Sequence, residues 1–574
     1  MHNSQNMNGN FSPMKSALMM VLTVAGAMLA SAETLYNGIE LPKEWPPRRD
    51  VKDREPQRVP YLEAANIPKV IPVDVGRQLF VDDFLVDAST FRRTYHHPVK
   101  FEGNPVLKPE TDWETGKDLG RKKGFPQSHR TATVRPCGGG IWWDAEKGVF
   151  RLWYEAGMCR EICYAESPDG IRWTRPSLDI ELGTNKLLPD QHTDSWSVVP
   201  DPDAKDPDQR WKLYVRRPGG DRPSDCYTSA DGIHWTNHVT GGVSGDRSTM
   251  FYNPFRKKWV FSLRASWFRR SRMYVEADDF LSGCQWTWPY DWKVDWKRSK
   301  QKKRYRNTEN CFIWLAADKY DVQSEWPELN KEASLYSFDA VAYESIMLGG
   351  WEIHWGPENR ECEKIGLPKI TDIQFAYSRD GFSFSRPDRT AAIASERWGA
   401  YGKKWDVGYV QPISNLCVVQ GDELWFYYGG FQGNTNATGY GAIYTNAGTG
   451  FAKLRRDGFA SMDADASGAT LVTRTIRFDT GDRLFVNAAA KGSLAAEILD
   501  ASSGEVLATG SAAGFDATKT CLATDLEKCR GREIKVRFIG KDASLYAFWF
   551  SDEKGASRGY LAGGGPGYKG LRDL

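Results

Sequence analysis

An excess of charge of one sign is missing from this chain. Across 574 residues, 76 Lys and Arg face 74 Asp and Glu. No global field therefore argues for nucleic acid or a membrane surface as the partner. Histidine is scarce, at 8 residues. His96-His97 reads as a structural pair. The ten cysteines form no Cys-x-x-Cys and no zinc-finger spacing. Cys159 and Cys163 are four apart and Cys521 and Cys529 eight apart, but their pairing cannot be read from spacing. No metal or other cofactor is expected, with a structural calcium left open. Helical periodicity is also scarce, confined to short linkers such as Trp326-Pro-Glu-Leu-Asn330. What remains is aromatic: 23 Trp, 24 Tyr and 27 Phe, with 54 Gly. That composition favours pleated sheet and an all-β fold. The length allows two to four domains.

The start of the chain has its own signature. Met14-Lys15 precedes an apolar run from Ala17 to Leu29 and then Ala30-Ser31-Ala32. A charged start, a short apolar segment and a small-x-small site read as a signal peptide over 1–32 with an upstream extension. The run is too short to span a bilayer as a permanent helix. The expectation is export to the periplasm or beyond, with no membrane insertion after cleavage. Oligomeric state is not readable.

Three segments share Ser-x-Asp-Gly-x-x-aromatic: Ser167–Trp173, Ser229–Trp235 and Ser378–Phe384. Asp-Gly marks a tight turn, with Gly supplying positive φ. An aromatic strand precedes each turn. A second strand type recurs upstream in Phe150-Arg-Leu-Trp-Tyr154, Trp211-Lys-Leu-Tyr-Val215, Trp259-Val-Phe-Ser262 and Leu424-Trp-Phe-Tyr-Tyr428. The unit is four-stranded, with a period of about 60 to 75 residues, which is a propeller blade. Five blades are expected, centred near 130–180, 190–240, 243–290, 335–390 and 405–455. The propeller should cover 73–456, after a Pro-rich extension over 33–72 that wraps the outside. Asp74–Asp83 looks like a strand that helps close the ring. Alternating apolar and polar residues after 457 read as a separate β-sandwich over 457–574.

In such a ring the start of each inner strand points into one mouth. Asp194, Asp246 and Asp339 hold that station in three successive blades, and Asp406 lies near the fifth. In the first blade the matching position is near Cys137, with His129 and Arg130 upstream. Clustered carboxylates are what glycosidic cleavage requires. They repel, so at least one would carry a raised pKa and act as an acid. The fourth-blade loop adds Glu358, Glu361 and Glu363, of which Glu358 and Glu361 are rival acids. Glu344 ranks below Asp339, because on a regular strand it points to the opposite face. The neighbouring loops are basic, with Arg216, Arg217, Arg247, Arg264, Arg269 and Arg270. Trp196 and Trp267 are candidate sugar platforms. Arg forks match carboxylate and sulfate, which suits an anionic sugar.

These residues resemble a known group. Gly76-Arg-Gln-Leu-Phe-Val-Asp-Asp-Phe84, Gly245-Asp-Arg-Ser-Thr249, Asn253-Pro-Phe-Arg-Lys-Lys-Trp259 and Asp339-Ala-Val-Ala-Tyr-Glu-Ser345 are similar to exported bacterial proteins of the "glycosyl hydrolase family 32 N-terminal-like" group. That group lies within the superfamily of glycoside hydrolase families 32 and 43, and the likeness covers about residues 70–570. It implies a five-bladed propeller and a catalytic set of two Asp and one Glu. Asp194 would match the nucleophile or base, and Asp246 the transition-state stabiliser. The third station holds Asp339 in place of Glu. The Trp-x-Asn-Asp-Pro-x-Gly signature of family 32 is absent, and Glu-Cys occurs only at Glu361-Cys362. The expected activity is an exo-acting glycosidase for plant or algal saccharides. Two alternatives stay open: a propeller that binds carbohydrate without cleaving it, and a sialidase-like protein.

Overall fold

The Ser-x-Asp-Gly turns set the frame of the computed structural model. Asp169 accepts the backbone N–H groups of Ile171 and Arg172 at 2.9 and 2.8 Å. Asp231 does the same with Ile233 and His234, and Asp380 with Phe382 and Ser383. Each preceding serine hydroxyl accepts the glycine N–H. The three glycines sit at φ of +74°, +75° and +78°, where a Cβ is strained. The structure describes residues 33–49, 54–120, 130–188, 192–217, 222–287, 307–322 and 332–574. The expected signal peptide, His129 and Trp326–Asn330 lie outside these residues.

The strands between these turns form five antiparallel sheets. The first blade holds Val134–Asp144, Val149–Ala156 and Glu161–Ser167. The second runs Ser195–Pro200, Trp211–Arg216, Arg222–Ser229 and Thr236–Ser244. The third runs Thr249–Asn253, Lys258–Ala265, Ser271–Ala277 and Phe312–Ala316. The fourth holds Ser334–Glu344, Ile346–Gly356 and Ile370–Ser378, and the fifth Gly408–Gln420, Glu423–Phe431 and Ala447–Arg455. The first strand of each blade packs against the first strand of the next, and the fifth returns to the first. The fold is an all-β, five-bladed propeller. Aromatic and branched side chains fill the spaces between blades, as with Trp153, Tyr164, Trp196 and Leu213 between the first two.

Ring closure differs from expectation. Val99–Lys100 adds to the outer edge of the fifth blade by pairing with Ala452 and Lys453. Gln78–Leu79 instead pairs with Ala547 and Phe548 of the C-terminal sheet. That sheet has ten strands, three of them 18 residues long: Arg483–Asp500, Val506–Ala523 and Ile534–Ser551. Four short strands between residues 71 and 95 belong to it. The expected outer wrapping by 33–72 is corrected too: Leu35, Ile39, Leu41 and Tyr61 are buried in the core of the C-terminal sheet. The physical reason is plain, since these apolar residues remove more surface from water inside that core than on a propeller flank.

The end of the chain crosses back. Tyr560–Leu561 pairs with Tyr343 and Glu344 at the exit of the fourth inner strand. A buried ion network ties the two sheets systems together. Arg77 lies 2.8 Å from Asp457 and 3.5 Å from Glu344, and Arg456 lies 3.0 Å from Glu344. Glu344 therefore serves this seam, far from the strand entrances.

Candidate active site

The entrances of the inner strands meet the exits of the second strands at one mouth. Asp194 immediately precedes its strand and its backbone N–H donates to the Arg216 carbonyl at 2.9 Å. Arg216 closes the second strand of that blade, and its guanidinium contacts the Asp194 carboxylate directly. Asp246 lies three residues before Thr249 and pairs with Arg264 at 2.7 Å. The Cys159 thiol donates to the second Asp194 oxygen at 3.5 Å.

Asp194 and Asp246 feel each other, and their environments push them apart. Burial lifts the Asp194 carboxyl above the usual range, and the Asp246 charge adds to that; Arg216 and Arg135 oppose without cancelling it. Burial also acts on Asp246, but Arg264, Arg216, Arg270 and Lys369 outweigh it and hold that carboxyl well below the usual range. One acid is thus favoured in its protonated form and its neighbour as an anion.

The wall of the mouth is aromatic and cationic. Lys369 donates to the Tyr336 hydroxyl at 2.9 Å, and the Tyr409 hydroxyl donates to the same oxygen at 3.1 Å. The Lys369 ammonium stands 4.7 Å from the Tyr336 ring centre and 4.8 Å from that of Tyr409. Arg270 lies over Tyr336 at 4.9 Å. Tyr440, exposed on the loop between strands two and three of the fifth blade, is within electrostatic reach of Cys159 and Asp194.

A second carboxyl pair lies deeper. Asp339 sits opposite Gly350 and Ser337 opposite Glu352 in the fourth blade. Asp339 and Glu352 are both fully buried. Burial pushes Asp339 up to about 6 and Glu352 up to about 7, against the pull of Arg247 and Arg272. Arg247, at φ +63°, extends a guanidinium nitrogen to 3.5 Å from the Ser337 hydroxyl and 3.7 Å from Glu352. Arg272 donates to the carbonyls of Arg247 and Tyr336, each at 2.6 Å.

The expected single station for three aspartates is therefore corrected. Asp194 and Asp246 precede their strands and form one pair. Asp339 lies five residues inside Ser334–Glu344 and joins Glu352 instead. Glu361 is corrected as well: it points to solvent from the helix Asn359–Ile365 and pairs with Lys364 one turn on. Glu358 caps the entry to that helix and stands 3.4 Å from Arg270 at the rim. Trp196 is no sugar platform, being fully buried, with its ring against Gly139. Trp267 is partly buried and donates to the Arg272 carbonyl at 3.3 Å. Asp406 turns away from the mouth to Lys100 at 2.8 Å and the Tyr428 hydroxyl at 2.9 Å. Arg216, Arg264 and Arg270 line the mouth, and Arg247 joins it to the deeper pair.

Sequence reasoning missed Glu155, Glu352, Arg135, Lys369 and the tyrosines. Arg135 makes two 2.9 Å bonds to Glu155 and a 2.6 Å bond to Gln411. The signal was present: Glu155 and Glu352 are the single acids of largely apolar second strands, and such charges are seldom buried without a partner or a task. Taken together, the channel places seven cationic side chains (Arg135, Arg216, Arg247, Arg264, Arg270, Arg272 and Lys369) around five carboxyls (Glu155, Asp194, Asp246, Asp339 and Glu352). Among the described residues, no group of three or more His, Cys, Asp or Glu is placed to hold a metal ion.

No protein-family model matches the sequence. No curated protein matches it either. Similar solved structures do exist. An N-acetylgalactosamine deacetylase from F. plautii matches with 11% identity and a TM-score of 0.37, over 65% of this chain and 96% of its own. An exo-β-1,3-galactanase from Phanerochaete chrysosporium matches with 8% identity and a TM-score of 0.32, over 72% and 96%. A family 32 β-fructofuranosidase from Bombyx mori matches with 10% identity and a TM-score of 0.32, over 73% and 92%. Glycoside hydrolases of families 43 and 130 are also among these structures.

Proposed function

We propose that this protein is an exported glycoside hydrolase that works at the propeller mouth. The carrying observation is the Asp194–Asp246 pair, whose protonation preferences are driven in opposite directions within one partly open site. Two titratable groups held apart in this way mark an acid and a base. Asp194 protonates the leaving oxygen. Asp246, kept ionised by Arg264 and its cationic neighbours, activates water or attacks the anomeric carbon. The excess of Arg and Lys over carboxyls suits a sugar carrying a carboxylate or sulfate. Glu352 and Asp339 act at one remove, by holding Arg247.

The test is hydrolysis of a panel of neutral, uronate-bearing and sulfated oligosaccharides by the parent, Asp194→Asn and Asp246→Asn. Loss of about 100-fold or more in kcat in Asp246→Asn is expected. Unchanged turnover in both variants would sink the assignment. One observation favours a second reading, binding without cleavage: the direct contact of Arg216 with Asp194 occupies an oxygen of the acid. Saturable binding of a saccharide with no turnover by the parent would establish that reading.

A further inference from the structure

We propose that a cleft at the edge of the mouth face, between the fifth and first blades, is a second saccharide subsite built on Trp405. The cleft measures about 360 Å³ and is lined by Trp405, Lys108, Pro109, Gln432 and Asn446 among others. Its size falls in the range of about 300–1,000 Å³ typical of small-ligand sites.

The sequence fixes the indole in place. Two glycines lie beneath it on neighbouring strands of the fifth blade. A Cβ at Gly430 would fall 3.0 Å from the Trp405 ring, and one at Gly450 would fall 2.6 Å from it. Only bare backbone admits the ring there. Tyr428 supports it further, with ring centres 5.3 Å apart and planes 31° from parallel. Trp405 thereby keeps partial exposure and turns the rest of its surface to the cleft. Its indole N–H bonds to no group among the described residues, which is a poor use of a core tryptophan.

The polar groups around the ring are held and oriented. The Gln432 amide donates to the Lys404 carbonyl at 2.9 Å, and the Asn446 amide donates to the Gly433 carbonyl at 2.9 Å. No described residue donates to either amide oxygen. The Lys108 ammonium, exposed on the opposite wall, pairs with no carboxylate among the described residues. An apolar plane ringed by two amides, an indole N–H and an ammonium matches a sugar ring, which offers a C–H face and a rim of hydroxyls. An apolar ligand would leave those polar groups unmatched, and a phosphate would leave the ring unused.

Placement strengthens the assignment. The loop 432–446 between strands two and three of the fifth blade supplies both sites. Gln432 and Asn446 at its ends line the cleft, and Tyr440 and Tyr444 in its middle face Lys369, Tyr336 and Asp194. A saccharide chain leaving the mouth over this loop meets Trp405 next. Binding at the cleft asks nothing of Asp194 or Asp246, so it stands or falls apart from hydrolysis.

The experiment is titration calorimetry of the full chain with hexasaccharides of xylan, cellulose, mannan, arabinan and galacturonan. Two variants accompany the parent: Trp405→Ala, and Gln432→Ala with Asn446→Gly, the glycine accepting the φ of +54° at that position. At least one hexasaccharide should bind, and each folded variant should weaken it by about 10-fold or more. Absence of binding by every hexasaccharide, or parent-like binding by either folded variant, overturns the proposal.

Discussion

The two ends of the propeller channel share a backbone and differ in everything else. At the mouth, strand entrances present Asp194, Asp246, Arg216, Arg264 and Lys369. At the far end, strand exits present Trp142, Val199, Phe251 and Val341, and the C-terminal tail lies across them with Tyr560 and Leu571. The cavity left there is only about 40 Å³. The tail is sewn in by backbone bonds: Gly563 donates to Cys417 at 2.9 Å, and Trp143 and Val419 donate to Gly563 and Gly564 at 2.8 Å each. One end gathers charged side chains, and the other seals the channel with an added strand. The closed end is packed with apolar side chains, and the open end carries paired charges.

The largest expected effect tests the open end. Asp246→Asn should lower kcat by about 10²–10⁴-fold while leaving the thermal midpoint near that of the parent. A parallel loss of folding and activity would place Asp246 in the scaffold instead. The closed end should show the reverse. A Cβ at Gly565 would stand 1.8 Å from the Val419 carbonyl oxygen, a backbone atom that cannot swing aside. Gly565→Val should therefore destabilise by more than about 3 kcal/mol, read as a lowered denaturant midpoint, with kcat of the surviving folded fraction intact.

These two ends were unequally legible in the sequence. The Ser-x-Asp-Gly turns announced the blades because a turn's hydrogen bonds are local: Asp169, Asp231 and Asp380 each satisfy amides two and three residues away. Asp194 and Asp246 were legible because a strand entrance is marked by what precedes it. Glu352 was not sought, since it sits in mid-strand and meets Arg247 only through the ring's closure. The return of Tyr560–Leu561 to Tyr343 and Glu344, more than two hundred residues back in the chain, left no local trace. Trp196 and Trp405 illustrate the same limit from opposite sides. Nothing local distinguishes a tryptophan packed between blades from one laid across glycines at a rim.

A smaller effect separates the deep pair from the mouth pair. Glu352 has a folded pKa of about 7 against an ordinary value of 4.5, and Asp339 about 6 against 3.8. The native chain therefore holds more protons at these sites than the unfolded chain. Their contribution to stability is full below the ordinary values and is lost as pH rises through about 6 and 7, up to about 3 kcal/mol for Glu352. Glu352→Gln removes that loss. The difference in thermal midpoint between variant and parent should move in the variant's favour from pH 5 to pH 8. A constant difference across that window would show that Glu352 titrates normally. The smallest effect belongs to the rejected candidate: Glu361→Gln should change stability by less than about 0.5 kcal/mol and leave kcat as it was.

The central claim is the division of labour between Asp194 and Asp246, and leaving-group dependence tests it most directly. The measurement compares, for the sugar that is cleaved, a dinitrophenyl glycoside with an alkyl glycoside in the parent and both Asn variants. A good leaving group departs without a proton, so only the poor one needs the acid. Asp194→Asn should retain most of its rate on the dinitrophenyl glycoside, lose about 100-fold on the alkyl glycoside and lose the basic limb of the pH profile. Asp246→Asn should fail on both. Equal loss on both substrates in Asp194→Asn, or the reverse pattern between the two variants, would contradict the assignment.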